Sequence, residues 1–140
     1  MPKDAPACAT KPVLRVLIAD DSEAITKTFG WMLEMLGHDV CTSRDGLSAV
    51  AMARTFLPNV LLLDLSLPGM SGYEVCETLR VEPAFEKSIF IAQTGWSQPE
   101  HIERSRKAGF AEHWVKPIPL ERLEKFLASL DVSDETCALG

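Results

Sequence analysis

The chain is 140 residues long, 46% hydrophobic and 24% charged, the balance of one globular domain rather than of a disordered chain. Fourteen basic against twenty acidic residues leave a net charge of −6, and no Lys/Arg run exceeds two, which argues against a phosphate-backbone partner, since that wants a clustered basic face. No apolar run approaches the ~18 residues of a bilayer span, and the opening MPKDAPACATKP lacks the apolar core of a secretory signal.

The first apolar run, Val13 to Ala19, reads as a strand and ends in Asp20-Asp21. A helix follows, in which Ile25, Phe29, Met32, Leu33 and Leu36 recur at helical offsets and Gly37 closes the pattern. Asp39 to Ser43 is a shorter strand. Asp45 caps the next helix, whose apolar side is Leu47, Val50 and Ala51 and which stops at Leu57-Pro58. Residues 59–64, Asn-Val-Leu-Leu-Leu-Asp, form a continuous apolar run ending in one acid, as a central parallel strand covered on both faces would. The loop Ser66 to Met70 leads to Ser71-Gly-Tyr-Glu74, a capping box opening the third helix. Ser88 to Thr94 is the fourth strand. Ser97 to Glu100 is a second capping box with Pro99 in the first turn, and its helix ends near Ala108-Gly109. Residues 111–115 make a short last strand, and Pro119 opens a fifth helix carrying Leu120, Leu123, Phe126, Leu127 and Leu130. Residues 1–12 and 131–140 read as tails around one domain over 13–130. Cys8, Cys41, Cys76 and Cys137 lie far apart, with no C-x-x-C and no histidine at zinc-ligand spacing, so they fit a reduced cytoplasm rather than a zinc finger or a disulfide scaffold.

Five βα units imply a parallel sheet with helices on both faces and a ligand crevice at the carboxyl ends of the strands. Those ends carry Asp20 and Asp21, Asp64, Thr94 and Lys116. Each alone is adequately read as a helix cap or a solvated charge. Together they are not, because like carboxylates destabilise one another unless a cation or a proton intervenes. Carboxylate oxygens with a backbone carbonyl and waters suit Mg²⁺, Lys116 supplies a point charge for an anion, and Thr94 supplies a hydroxyl donor. An aspartate so equipped is a phosphoryl-accepting nucleophile, and Asp64, ending the central strand, is the choice.

The acidic pair after strand one, Asp64-Leu-Ser-Leu-Pro-Gly-Met-Ser-Gly72, Thr94-Gly95 and Lys116-Pro117 together resemble a CheY-like response-regulator receiver domain of two-component signalling, over residues 13–130. The resemblance implies an α/β, flavodoxin-like, doubly wound (βα)5 fold with strand order 2-1-3-4-5. It implies that Asp64 takes phosphate from a histidine kinase or a histidine phosphotransfer protein. It further implies that Asp21 and Asp64 bind Mg²⁺ directly with the Ser66 carbonyl, that Asp20 acts through water, that Lys116 and Thr94 contact phosphoryl oxygens, and that the Lys116-Pro117 bond is cis. The segment QTGWSQPEHIERSRKAGFAEHWVKP is similar to receivers attached to, or served by, hybrid histidine kinases.

The sequence departs from that pattern at His113, where the family carries an aromatic residue that turns inward when the threonine moves. An imidazole would couple such a Thr94–His113 switch to protons, while a partner-facing surface histidine is the plainer reading. Trp96 stands at the crevice mouth as a shield for the phosphoaspartate, with Ser66 the other tuning position, against a plainer reading as loop packing. Trp31 and Trp114 read as core or partner contacts. Helix four offers only Ile102 and Ala108 as apolar residues, which predicts loose attachment. In the resemblance, helix four, strand five and helix five form the output face.

An aspartate-nucleophile phosphohydrolase is the competing enzyme reading, but its second acid two residues after the nucleophile is here Ser66, and no cap domain is present. No G-x-x-x-x-G-K or G-x-G-x-x-G supports nucleotide binding. The expectation is therefore a stand-alone cytoplasmic response regulator, a phosphoprotein and not an enzyme beyond its own phosphorylation and dephosphorylation. It would be a monomer or weak homodimer that signals through protein partners, without nucleic acid or membrane. A receiver excised from a hybrid kinase and a docking-only receiver are the alternatives.

Overall fold

The computed structural model describes residues 13–95, 99–116 and 118–130. Strands and helices alternate as β1 (Arg15–Ala19), α1 (Glu23–Met35), β2 (Asp39–Ser43), α2 (Gly46–Phe56), β3 (Val60–Asp64) and α3 (Gly72–Leu79). After a 3-10 turn at Pro83–Phe85 come β4 (Ile89–Thr94), α4 (Pro99–Ala108), β5 (Glu112–Val115) and α5 (Leu120–Ala128). The five strands are parallel, in the order β2-β1-β3-β4-β5. This is the doubly wound, flavodoxin-like fold that the resemblance implied.

Strand periodicity divides the core into two apolar layers. Leu17, Ala19, Leu61, Leu63, Phe90 and Ala92 face α2, α3 and the end of α4. Val16, Ile18, Val60, Leu62 and Ile91 face Leu33 of α1 and Leu123 and Leu127 of α5. Every residue of β3 is buried, which is why its sequence runs apolar without alternation. Strand three starts one residue later than the apolar run suggested. Asn59 instead joins the rim, its N–H donating to the Arg15 carbonyl (2.7 Å) and its Oδ1 accepting from the Arg15 N–H (2.8 Å).

The helix starts follow their caps. Asp45 accepts from the Ser48 N–H at 2.7 Å, and Ser71 and Glu74 form the reciprocal capping box. The Ser97 cap and both tails lie outside the described residues. Trp114 is core, edge-on to Phe126 with centroids 5.5 Å apart, whereas Trp31 is 62% exposed and leaves the core altogether.

Helix α4 has the predicted shortage of apolar contacts, and polar groups supply its attachment instead. Buried Ser105 bonds His113, Cys76 Sγ donates to the Ala108 carbonyl (3.4 Å), and the Arg104 guanidinium lies 4.0 Å from the Tyr73 ring centre.

The turn into α3 requires a glycine. A Cβ on Gly72 would stand 2.5 Å from the Asp64 carbonyl oxygen and 2.9 Å from Leu65 Cα, both backbone and unable to yield cheaply. We expect Gly72→Ala to lower unfolding free energy by about 1–3 kcal/mol in urea titrations. Gly95→Ala, where none of the described residues would lie within 4 Å of the added Cβ, should change it by less than about 0.5 kcal/mol.

Candidate functional site

Parallel strands deliver their carboxyl ends to one edge of the sheet, and the loops after β1, β3, β4 and β5 meet there. Asp20 continues the ladder one residue past β1, its N–H donating to the Ser43 carbonyl at 3.0 Å, and is fully buried as a result. Both of its oxygens are occupied. Oδ1 accepts from the Ser22 N–H (2.9 Å), and Oδ2 accepts from the Gln93 amide (3.1 Å) and from Lys116 Nζ (2.8 Å). Asp64, also buried, accepts from the Ser66 N–H on Oδ1 (2.9 Å) and from Lys116 Nζ on Oδ2 (3.0 Å). Asp21 sits exposed at the rim, and Asp20, Asp21 and Asp64 each bring a carboxylate oxygen within 4.8 Å of the others. Thr94 ends β4 fully buried, and its carbonyl accepts the Lys116 N–H at 2.7 Å, which carries the lysine to the same edge.

Three carboxylates against one ammonium leave an excess of two negative charges. Burial pushes the Lys116 ammonium down, but the hydrogen bonds and charges of Asp20 and Asp64 outweigh it, so its pKa is raised and the group stays charged. The remaining excess, presented entirely by oxygen donors, fits a hard divalent cation such as Mg²⁺ and disfavours softer metals that seek nitrogen or sulfur. Ser66 is exposed at the mouth.

Asp20, Asp21, Asp64, Ser66, Thr94 and Lys116 therefore gather at one edge as the sequence suggested. His113 lies one layer back, on the sheet face that Thr94 shares, because it is in register with Ala92. Its Nδ1 is 2.8 Å from Ser105 Oγ on α4. Trp96 and Pro117, and with it the Lys116-Pro117 peptide, lie outside the described residues.

Two participants escaped the sequence reading. Gln93 supports Asp20 from the face opposite Thr94, and its signal was a polar residue one place before the end of an otherwise apolar strand. Ser105 holds His113, and nothing distinguishes it in sequence from the other polar residues of α4. Ile25, Phe29 and Ile118 join Gln93 and Lys116 around a cavity of about 410 Å³ beside the site.

Residues 16–128 match the family described as the response regulator receiver domain, and the chain belongs to that family of two-component signalling domains. Among its relatives is the polar-differentiation response regulator DivK of Brucella anthropi, 32% identical over 114 residues that cover 81% of this chain and 93% of that protein. Among solved structures, the chemotaxis response regulator CheY4 of Vibrio cholerae superposes with a TM-score of 0.77 at 28% identity, covering 83% of this chain and 97% of that one. The receiver domain of the sensor histidine kinase PA1611 from Pseudomonas aeruginosa, solved with a magnesium ion coordinated in its active-site cleft, gives 0.74 at 25% identity, covering 83% and 95%.

Because the folded pKa of Lys116 lies above its unfolded value of 10.5, the stabilisation it provides is whole below that pH. It is lost as pH rises through the folded value. In EDTA, the wild-type chain should therefore lose stability along this alkaline limb, and Lys116→Met should flatten it, read as denaturation midpoints against pH.

Proposed function

We propose that the chain is a phosphoacceptor whose Asp64 takes a phosphoryl group from the phosphohistidine of a histidine kinase or histidine phosphotransfer protein. The observation that carries this reading is the convergence of Asp20, Asp21 and Asp64 within 4.8 Å, with Lys116 Nζ 3.0 Å from Asp64. In the step, an Asp64 carboxylate oxygen forms a bond to phosphorus as the phosphorus–nitrogen bond to the donor imidazole breaks. The electron pair leaves on that nitrogen, which takes up a proton. Ser66 N–H and Lys116 fix the carboxylate before attack, so little reorganisation accompanies the reaction. Lys116, already bridging two carboxylates, has charge to share with an incoming phosphoryl oxygen, and Thr94 supplies a hydroxyl at the neighbouring strand end.

Mg²⁺, when bound, supplies neutralisation of charge on the transferring oxygens. Asp21 and Asp64 would hold it with the Ser66 carbonyl. Asp20, whose oxygens are already engaged by Ser22, Gln93 and Lys116, would act through water. Phosphorylation then changes partner binding at the face formed by α4, β5 and α5, where Thr94 and His113 form the switch pair. The match to DivK, which spans 93% of that response regulator, supports a receiver that signals through protein partners.

The test is intact-protein mass after incubation with acetyl phosphate and Mg²⁺. One hydroxylamine-labile phosphoryl adduct is expected on the wild-type chain, blocked by EDTA and lost in Asp64→Asn. An adduct that persists in Asp64→Asn would overturn the assignment. Asp21→Asn should weaken Mg²⁺ binding by calorimetry about tenfold or more, as loss of one charged ligand in a hard-cation site implies.

A further inference from the structure

Among the described residues, strand β2 is the outer strand on the side of the sheet away from β5. Its ladder with β1 fixes which backbone groups it shows to the outside. The Asp39 N–H donates to the Leu14 carbonyl, and the Ser43 carbonyl accepts from the Asp20 N–H, each at 3.0 Å, so Asp39, Cys41 and Ser43 direct their peptide groups inward. Strand alternation then turns the N–H and C=O of both Val40 and Thr42 out of the sheet. Nothing between Asp39 and Ser43 blunts this edge, which carries no lysine, no proline and no bulge.

We infer that this edge is a homodimer surface, on which β2 of one copy pairs antiparallel with β2 of a second about a two-fold axis through Cys41. In that register Val40 of each copy exchanges both hydrogen bonds with Thr42 of the other, and all the outward groups are used. The two Cys41 residues become a non-hydrogen-bonded pair, with Cα atoms ~4.5 Å apart and side chains on the same face.

Charge selects a second copy over an unrelated strand. A Cβ on Gly30 would lie 3.5 Å from Val40 Cγ1 and from Thr42 Cγ2, so α1 crosses over β2 at the level of Cys41, where the axis runs. Two α1 helices related by that axis are antiparallel, and a turn to either side of Gly30 stand Lys27 and Glu34. Lys27 of each copy therefore faces Glu34 of the other. The pair Lys27 makes with Glu23 is solvent-exposed and costs little to share. Lys27, Trp31, Glu34, Val40 and Thr42 line a groove of about 360 Å³ on this face. On the opposite face Cys41, Met52 and Phe56 line one of about 700 Å³. Both grooves meet their symmetry mates in the pairing, while the carboxyl edge and β5 stay open.

The test uses the full chain with Cys8 and Cys137 replaced by serine. Of the two remaining thiols, Cys76 is buried and pushed up to about 12 by that burial, whereas Cys41, though also raised by its partial burial, is half-exposed and the accessible one. Sedimentation should show a monomer–dimer equilibrium. Copper–phenanthroline at alkaline pH should trap the dimer through Cys41, the two thiols giving up two electrons to the oxidant and two protons to water. Lys27→Glu, which sets like charges at both symmetry-related pairs, should weaken the dimer about tenfold, and adding Glu34→Lys should restore it. A chain that stays monomeric to millimolar concentration, or a dimer neither trapped at Cys41 nor sensitive to Lys27→Glu, would overturn the proposal. So would a dimer that forms only after residues 1–12 are deleted, which would give the edge to that segment.

Discussion

The constraint from which the rest of the site follows is the burial of two carboxylates beside one another. Asp20 and Asp64 end adjacent strands of a parallel sheet, so the register that buries β1 against β3 also brings their charges together. Left unpaired, each would cost several kcal/mol in desolvation alone. Lys116 relieves both by bridging them at 2.8 and 3.0 Å, and Ser22, Ser66 and Gln93 fill the remaining acceptor sites. The arrangement holds together without being neutral, because Asp21 adds a third charge at the rim. A site that is structurally satisfied and still short of positive charge is suited to take in a cation. In the proposed function, the same lysine that stabilises the resting state would serve the phosphorylated one.

Topology explains why the crevice opens at this point and not elsewhere along the edge. The chain leaves β1 toward α1, which packs on the layer with Leu33, and leaves β3 toward α3, which packs on the layer with Val75 and Leu79. Neighbouring strands whose following helices depart to opposite faces leave a gap between their loops. Asp20, Asp21 and Asp64 line that gap, and Gly72 lets the α3 turn approach the Asp64 carbonyl closely enough to keep it narrow.

Much of this was legible in sequence, for a physical reason. Continuous apolar runs such as Leu61-Leu62-Leu63 occur where a strand is covered on both faces, and the first polar residue after such a run marks the sheet edge, so Asp20, Asp64 and Thr94 announced themselves. Caps built from near neighbours, Asp45 with Ser48 and Ser71 with Glu74, were equally plain. Contacts between residues distant in sequence were not. Gln93 reaches Asp20 across 73 positions, and Ser105 meets His113 only because α4 packs beside β5. Trp31 shows what the sequence left open. Core and partner contact were both readings of it, and its place on α1 turns it away from Leu33 and out of the core, a direction that only packing against β2 reveals.

The attachment of α4 bears on how a change at Asp64 reaches the surface. Ser105 Oγ touches two groups, the His101 carbonyl at 3.0 Å and His113 Nδ1 at 2.8 Å, and a hydroxyl has one proton. A carbonyl can only accept, so for both contacts to be hydrogen bonds the imidazole must donate from Nδ1. Displacing the ring would remove one of the few polar bonds that attach α4, beside those of Cys76 to Ala108 and of Arg104 on Tyr73, because Ser105 is buried and its helix contributes little apolar contact to hold the position. Thr94 lies on the same face of the sheet, two residues beyond Ala92, the residue in register with His113. A helix held by a few directional polar bonds separates at small cost once one of them is broken, whereas one held by buried leucines would have to expose area in proportion to its movement.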